Sequence, residues 1–447
     1  MNKNNENIKV GFVSLGCPKN LTDTEAMLYT LVEEGFELVA DETEADVIVL
    51  NTCAFIKSAR EEAEENIRDI TWLKENKSLK GIVVAGCYAQ MAGRQIFSKY
   101  PSVSAVIGVG SCRDISAAVR AAYNGERFYS ANPIIKSPMG DPRIVTTPEY
   151  FAYLKIAEGC DNCCSYCAIP SLRGKFRSRP LDEIVEEANS LAELGVREVC
   201  LVAQDTTRYG EDLYGTYSLD ALISEISQIE GIKQIRLLYC YPDRITDALI
   251  EEIATNDKVV KYIDMPIQHI SDNVLKRMNR RDTEKTIREV ITKLRARIPD
   301  IVLRTTVLVG FPGETKADFE KLLSFVKEMK FERLGAFAYS REKGTAAYDM
   351  PDQIRAATKE HRVETIMNAQ YRIQDEFNRS RVGKVVDAVC EGYDAVAGKY
   401  FGRTYADAPE IDGKIYFEPS RKLKEGDMVR IKVTEALDYD IMGVIVD

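Results

Sequence analysis

Short apolar runs alternate with helix-patterned stretches through most of this chain, and that alternation leaves few folds open. From residue 8 to about 124 the apolar runs are Val10–Leu15, Val47–Leu50, Ile82–Ala85 and Ala105–Val109, with helical stretches such as Thr24–Glu34 and Ala59–Lys74 between them. A βαβ rhythm of this kind builds a parallel sheet covered by helices. Residues 125–148 break it and read as a linker. Pro133, Pro138, Pro142 and Pro148 fall close together there, and proline removes a backbone donor and disfavours helix and interior strand.

The alternation returns over 149–376. Tyr153–Ala157, Glu198–Ala203, Ile235–Cys240, Tyr262–Pro266, Val302–Gly310 and Arg333–Ser340 are predicted strands separated by helical patterns such as Leu181–Leu194. Six β/α units predict a partial (β/α)6 barrel rather than a full eight. Residues 379–447 change character again. Val385–Cys390, Lys399–Thr404, Ile415–Pro419, Met428–Thr434 and Ile441–Val446 are short β-rich runs divided by turn signals such as Glu425-Gly426-Asp427. They predict a small five-stranded antiparallel barrel of OB type. The expected fold class is therefore α/β multidomain: a parallel α/β domain, a linker, a partial barrel and a small β-barrel.

Length agrees, since 447 residues exceed one ordinary core. The opening residues are polar and carry no signal-like apolar run, and no stretch approaches the ~18 apolar residues of a membrane helix. A soluble, cytoplasmic protein without membrane partners is expected. Sixty basic against seventy acidic residues give a net charge of −10. Nucleic-acid binders usually carry a basic surplus, so the balance favours a basic partner over RNA.

Eleven cysteines stand against two histidines, His269 and His361. An odd cysteine count in a reducing compartment argues against a disulfide framework, and so few histidines argue against a His-rich zinc site. Thiolate–metal chemistry remains. In Glu158-Gly-Cys-Asp-Asn-Cys-Cys-Ser-Tyr-Cys167, four cysteines lie within eight residues, directly after the first barrel strand. Barrel folds keep their active sites at that end. Three thiolates on a [4Fe–4S] cube leave one iron open. Spacing allows Cys160, Cys164 and Cys167, or Cys163 in place of Cys164.

A second set is dispersed. Cys17, Cys53 and Cys87 each fall just past a predicted parallel strand, where strand ends share one ligand-binding edge. Three convergent thiolates again suggest a cluster. Cys112 also follows a strand-like run, and spacing does not exclude it. Cys200, Cys240 and Cys390 fall within or at the end of predicted strands and read as structural.

The C-x3-C-x2-C spacing of Cys160, Cys164 and Cys167, with aromatic Tyr166 before the last cysteine, closely resembles the signature of radical S-adenosylmethionine (SAM) enzymes. With both cysteine sets in order, nearly the whole chain resembles the methylthiotransferases, which join an N-terminal cluster domain, a radical SAM core and a C-terminal TRAM barrel. The resemblance implies two [4Fe–4S] clusters held by Cys17, Cys53 and Cys87 and by Cys160, Cys164 and Cys167. It leaves Cys163 a non-ligand and offers Cys112 no role. One branch of that family modifies a tRNA adenosine and the other an aspartate of a small-subunit ribosomal protein. Ser14-Leu-Gly-Cys-Pro-Lys-Asn20, Ile169-Pro-Ser-Leu-Arg-Gly174, Arg177-Ser-Arg-Pro180 and Ala203-Gln-Asp-Thr-Thr-Arg-Tyr-Gly210 are similar to the ribosomal branch. Charge agrees independently: from Arg379 to Asp447 there are 11 basic and 13 acidic residues, whereas an RNA-reading barrel carries a positive groove.

The resemblance further implies SAM as cofactor and transfer of a methylthio group to the β-carbon of the target aspartate. The competing expectations are a tRNA methylthiotransferase and a non-catalytic iron–sulfur carrier. Further SAM contacts are expected from Tyr166, Gln204, Gln268 and Arg304, the last three placed toward the barrel mouth. Gly310-Phe-Pro-Gly-Glu-Thr315 is a Gly-rich turn after the fifth strand. His269 is expected to be packed, and His361 to lie on a helix surface.

Overall fold

The computed structural model describes residues 8–418 and 422–446. Its first sheet has six parallel strands: β1 (Lys9–Ser14), β2 (Glu37–Val39), β3 (Val47–Thr52), β4 (Gly81–Ala85), β5 (Ala105–Ile107) and β6 (Phe128–Ser130), in the order β2-β1-β3-β4-β5-β6. Helices α1 (Pro18–Glu33), α2 (Lys57–Asn76), α3 (Gly86–Ala92), α4 (Gln95–Lys99) and α5 (Ile115–Tyr123) connect them. The central strands β3 and β4 are buried along their whole length, as an interior strand covered on both faces must be. Apolar cores form on both faces, one around Ile48, Leu50, Ile67 and Val84, the other around Val47, Val49, Leu31 and Val119.

β6 lies inside the stretch expected as a linker. It pairs with β5 and packs Phe128 on the core beneath α5, because it precedes Pro133 and keeps its backbone donors. The proline-rich residues after it are strapped down. Ile144 N donates to Glu25 O at 3.1 Å, and Arg143 pairs with Glu187 at 2.7 Å.

The second sheet is the expected open barrel of six parallel strands. β7 (Phe151–Lys155) is followed by a short hairpin, β8 (Ala157–Glu158) with β9 (Arg177–Ser178), then by β10 (Glu198–Val202), β11 (Gln234–Leu237), β12 (Val259–Asp264), β13 (Val302–Val309) and β14 (Arg333–Ala338). The first strand sits two residues earlier than its apolar run suggested, since Ala157 and Glu158 pair with β9 instead. Side chains alternate. Ala152, Leu154, Val199 and Leu201 face the covering helices, while Phe151, Tyr153, Cys200 and Val202 face the concave interior.

That interior receives both neighbours: Leu21 of α1 from one end, and Tyr405, Ala406 and Ala408 from the other. A 26-residue helix, Ala356–Arg381, leads into the closed barrel of β15 (Val385–Asp394), β16 (Lys399–Thr404), β17 (Ile415–Glu418), β18 (Met428–Ala436) and β19 (Ile441–Ile445). Four pairings are antiparallel and β17 with β19 is parallel. A ring with an odd number of strands cannot alternate throughout, so one parallel pair is required. Pro419, the expected end of β17, lies outside the described residues, as do the polar opening residues 1–7 and Asp447. No helix among the described residues is long and apolar enough to cross a membrane.

Candidate functional site

Cys17, Cys53 and Cys87 follow β1, β3 and β4, three strands adjacent in the sheet. Ser14, Asn51 and Ala85 align across these strands, so the chain leaves the sheet at one level and the thiols emerge on one edge. Cys17 is the N-cap of α1, its carbonyl accepting from Asn20 N and Leu21 N at 2.8 and 3.1 Å. Gly16, at φ 97°, lets this loop close on its neighbour: a Cβ there would lie 2.9 Å from Cys53 Cβ. Asn51 Nδ2 donates to Asn20 O and to Thr24 Oγ1 at 2.9 and 2.8 Å, tying β3 to α1. Cys112 follows the next strand but turns inward. Its thiol donates to Val109 O at 3.2 Å and packs among Val10, Met27 and Val119.

The second set occupies the loop after β8. Gly159 takes φ 82°, and Cys160 N donates to Gly174 O at 3.0 Å. Cys167 N donates to Cys164 O at 2.9 Å, and Ser165 is anchored through N to Met278 O at 2.9 Å. Cys160 and Cys164 are buried and Cys167 half-buried, whereas Cys163 is exposed at φ 50°. Cys164 Sγ lies 3.5 Å from the Tyr241 hydroxyl. All eleven cysteines are free thiols. Cys200, Cys240 and Cys390 sit in apolar cores.

The two sets meet at one interface. Helix α6 (Ile169–Arg173), directly after Cys167, seats Leu172 among Cys87, Tyr88 and Ala89. Its Arg173 joins Asp23 at 2.5 Å, Glu158 at 3.3 Å and Asn20 Oδ1 at 3.1 Å, and Lys155 joins the same carboxylates at 2.6 and 3.4 Å. Arg173, Lys155, Asp23 and Glu158 are all buried. Burial opposes the charge of Lys155, yet Asp23 and Glu158 hold its pKa above the usual range; burial likewise opposes that of Glu158, which Arg173 and Lys155 hold below it. These residues escaped sequence reasoning. Their signal was proximity: Asp23 stands six residues after Cys17, Lys155 and Glu158 five and two before Cys160, and Arg173 six after Cys167.

An iron–sulfur cluster fits both places. Each set is three thiols without imidazole, the donor set of a cube with one open iron. Burial pushes the Cys87 and Cys160 thiols up to about 11, and a coordinating cation is what takes a buried thiol's proton. Lys19 supplies a third sign. It is buried 3.2 Å over the Tyr239 ring, donates to Ala203 O at 3.3 Å and makes no ion pair among the described residues. Burial lowers its pKa and Cys17 is the largest influence opposing that. An anionic thiolate cluster would offset it.

Of the expected SAM contacts, Gln204 lies nearest this interface: its Nε2 donates to Glu158 Oε1 at 2.6 Å, and its buried Oε1 has no partner. The Tyr166 ring stands edge-on to Phe311, centroids 6.4 Å apart. Gln268, at φ 65°, bridges to β13 through its backbone, with Leu308 N donating to its carbonyl at 2.7 Å. Arg304 is already engaged inside the barrel, by Asp264 at 2.7 Å and by Asp412 of the C-terminal barrel at 3.6 Å. In the Gly-rich turn, Glu314 accepts from Gly310 N and Phe311 N and pairs with Arg362 at 2.9 Å. His269 is fully buried beside it and His361 is exposed.

An open parallel half-barrel with a three-thiol loop at its first strand defines a radical SAM enzyme. Residues 154–326 match the Radical SAM superfamily, 9–108 the Uncharacterized protein family UPF0004 and 382–446 the TRAM domain. Among solved structures, the radical SAM methyltransferase TsrM from Kitasatospora setae shares the fold at TM-score 0.57 and 15% identity, over 76% of this chain and 77% of its own. The cobalamin-dependent SAM radical enzyme OxsB does so at TM-score 0.53 and 14% identity, over 83% and 58%. Ribosomal protein uS12 methylthiotransferases RimO are far more similar. That of Caldanaerobacter subterraneus is 50% identical over 97% of this chain and 99% of its own length, and that of Acetivibrio thermocellus 47% identical over 98% of each. The chain belongs to the RimO family of ribosomal protein uS12 methylthiotransferases.

Proposed function

We propose that this enzyme transfers a methylthio group to the β-carbon of an aspartate in ribosomal protein uS12, using SAM and two [4Fe–4S] clusters. One observation carries the assignment: two three-thiol sets flank a single interface and are joined there by α6. Cys160, Cys164 and Cys167 would hold one cluster and Cys17, Cys53 and Cys87 the other. Bound there, SAM and the clusters supply the one-electron chemistry that removes hydrogen from an inert carbon and replaces it with sulfur.

The chain's own residues do the rest. Gln204 is poised to bind SAM through its unpartnered Oε1. Tyr166 and Gln268 complete the proposed contacts; Arg304 would join them only by leaving Asp264. The two domains pack Leu21, Tyr153 and Tyr239 between the cysteine sets and the C-terminal barrel, which excludes water from that side. The acidic balance of the chain suits a basic ribosomal substrate, and the C-terminal barrel is proposed to meet it.

The test is mass spectrometry after anaerobic reconstitution with iron and sulfide. The full chain receives SAM, a reductant, ribosomal protein uS12 and tRNA in competition. A methylthio increment on one uS12 aspartate is expected. The same increment on a tRNA adenosine would overturn the substrate assignment, and absence of 5′-deoxyadenosine would overturn the enzyme.

A further inference from the structure

Arg173 belongs to the barrel by sequence and to the N-terminal cysteines by position. It ends α6, six residues after Cys167. Its guanidinium is buried. Asp23 and Asn20, two of its partners, stand on α1, the helix that Cys17 caps, and Leu172 beside it packs on α3, the helix that carries Cys87. Burial opposes its charge, while Cys87, Asp23, Glu158 and Cys17, in that order, hold its pKa above the usual range. Neither nearby carboxylate neutralises it alone, since Asp23 and Glu158 are each shared with Lys155.

We propose that Arg173 is a positioning residue that sets the charge around the N-terminal cluster and thereby its reduction potential. The potential of an iron–sulfur cluster follows net charge, hydrogen bonding to its sulfurs and solvent exposure. A buried guanidinium held on α1, the helix that Cys17 caps, and beside α3, the helix that carries Cys87, acts on the first, and it remains charged at any working pH. A neighbouring cation favours the state with one more electron and raises the potential. Because α6 continues the loop of the barrel cysteines, the charge is in place only while the SAM-binding unit is docked. The N-terminal cluster is thus tuned by the other domain. Arg173 can play that part only if Cys17, Cys53 and Cys87 hold a cluster, as proposed above.

The experiment uses the full chain carrying Cys160→Ala, Cys164→Ala and Cys167→Ala, which leaves the N-terminal set alone. It is reconstituted with iron and sulfide, its iron is counted, and its midpoint is read by electron paramagnetic resonance at poised potentials. Arg173→Met in this background is expected to keep its iron and shift the reduction equilibrium about ten-fold toward the oxidised form, ~59 mV for one electron. Arg173→Lys is expected to restore most of that shift. An unmoved midpoint in Arg173→Met would overturn the inference, and so would a shift that Arg173→Lys fails to restore, since exposure of the cluster by lost packing also moves a potential. If Arg173→Met fails to fold, Asp23→Asn decides. It leaves Arg173 in place with less counter-charge, so the midpoint must rise, and an unchanged or lower value overturns the inference. A parent variant that binds no iron would overturn the cluster assignment itself, and the role of Arg173 with it.

Discussion

Arg333, which opens the last barrel strand, pairs with Asp407 of the C-terminal barrel at 2.5 Å, and both side chains are buried. Around this pair, Glu198 receives Arg236 at 2.7 Å and also Arg403, while the Tyr262 hydroxyl donates to Asp412 at 2.6 Å. The C-terminal barrel is therefore fixed into the concave face of the half-barrel rather than tethered beside it. Removing one partner of a buried pair leaves an uncompensated charge and costs about 3–5 kcal/mol. Asp407→Ala is expected to lower the melting temperature and to open the end of helix Ala356–Arg381 to limited proteolysis. Unchanged melting and cleavage would show that the clamp does not depend on this pair.

The two cysteine sets are expected to separate in their phenotypes. Cys164→Ala removes one of the three barrel thiols and should reduce 5′-deoxyadenosine formation to background. Cys53→Ala lies in the other set, on the edge of the first sheet, and should leave that formation intact while stopping methylthio transfer. Both products are read in one chromatographic run coupled to mass spectrometry. Undiminished transfer by Cys53→Ala would sink the two-cluster scheme.

Much of the candidate site is legible in the sequence. Cys17, Cys53 and Cys87 are far apart in sequence, but each ends an apolar run, and a parallel sheet has only one carboxyl edge on which to gather them. The half-barrel was likewise written in period. What the sequence hid is where the units touch. Lys19, Asp23, Lys155 and Arg173 are ordinary charged residues in a pattern-based reading, which expects such side chains at the surface. They are buried only because each finds its partner on another domain, 132 residues away for Asp23 and Lys155. Arg304 shows the converse. It is expected at the barrel mouth, yet Asp264 and Asp412 hold it inside the barrel, and Asp412 comes from a domain whose docking leaves no local signal. β6 was missed for a simpler reason: three residues are too short to show a period.

Gly159 is expected to tolerate no side chain. It holds φ 82°, and a Cβ there would lie 2.0 Å from Lys175 O, a backbone atom that cannot swing aside. A non-glycine residue held in this conformation costs about 1–3 kcal/mol before any clash. Gly159→Ala should therefore displace Cys160 from its hydrogen bond to Gly174 O and lower the iron bound by the barrel set. Iron and sulfide counts in a Cys17→Ala, Cys53→Ala, Cys87→Ala background isolate that set. Full iron content in Gly159→Ala would show that the loop adapts.

His269 gives a dependence on pH. Its Nδ1 accepts from Ser271 N at 3.0 Å, which places the ring proton on Nε2, 4.0 Å from Glu314 Oε1. Burial lowers its pKa from 6.5 to about 3. Above pH 6.5 the ring is neutral in both folded and unfolded chains, and its contribution is complete. Below that value the unfolded chain takes up a proton that the fold refuses, so stability falls as the pH drops from 6.5 toward 3. At pH 5 the loss from this one group amounts to about 2 kcal/mol. Glu314 runs the other way, since burial raises its carboxyl to about 7, but it is present in parent and variant alike. His269→Gln keeps an acceptor for Ser271 N and cannot titrate. Denaturant midpoints at pH 7.5 and 5 should fall further in the parent than in the variant. Equal losses in the two proteins would mean that His269 takes its proton without unfolding.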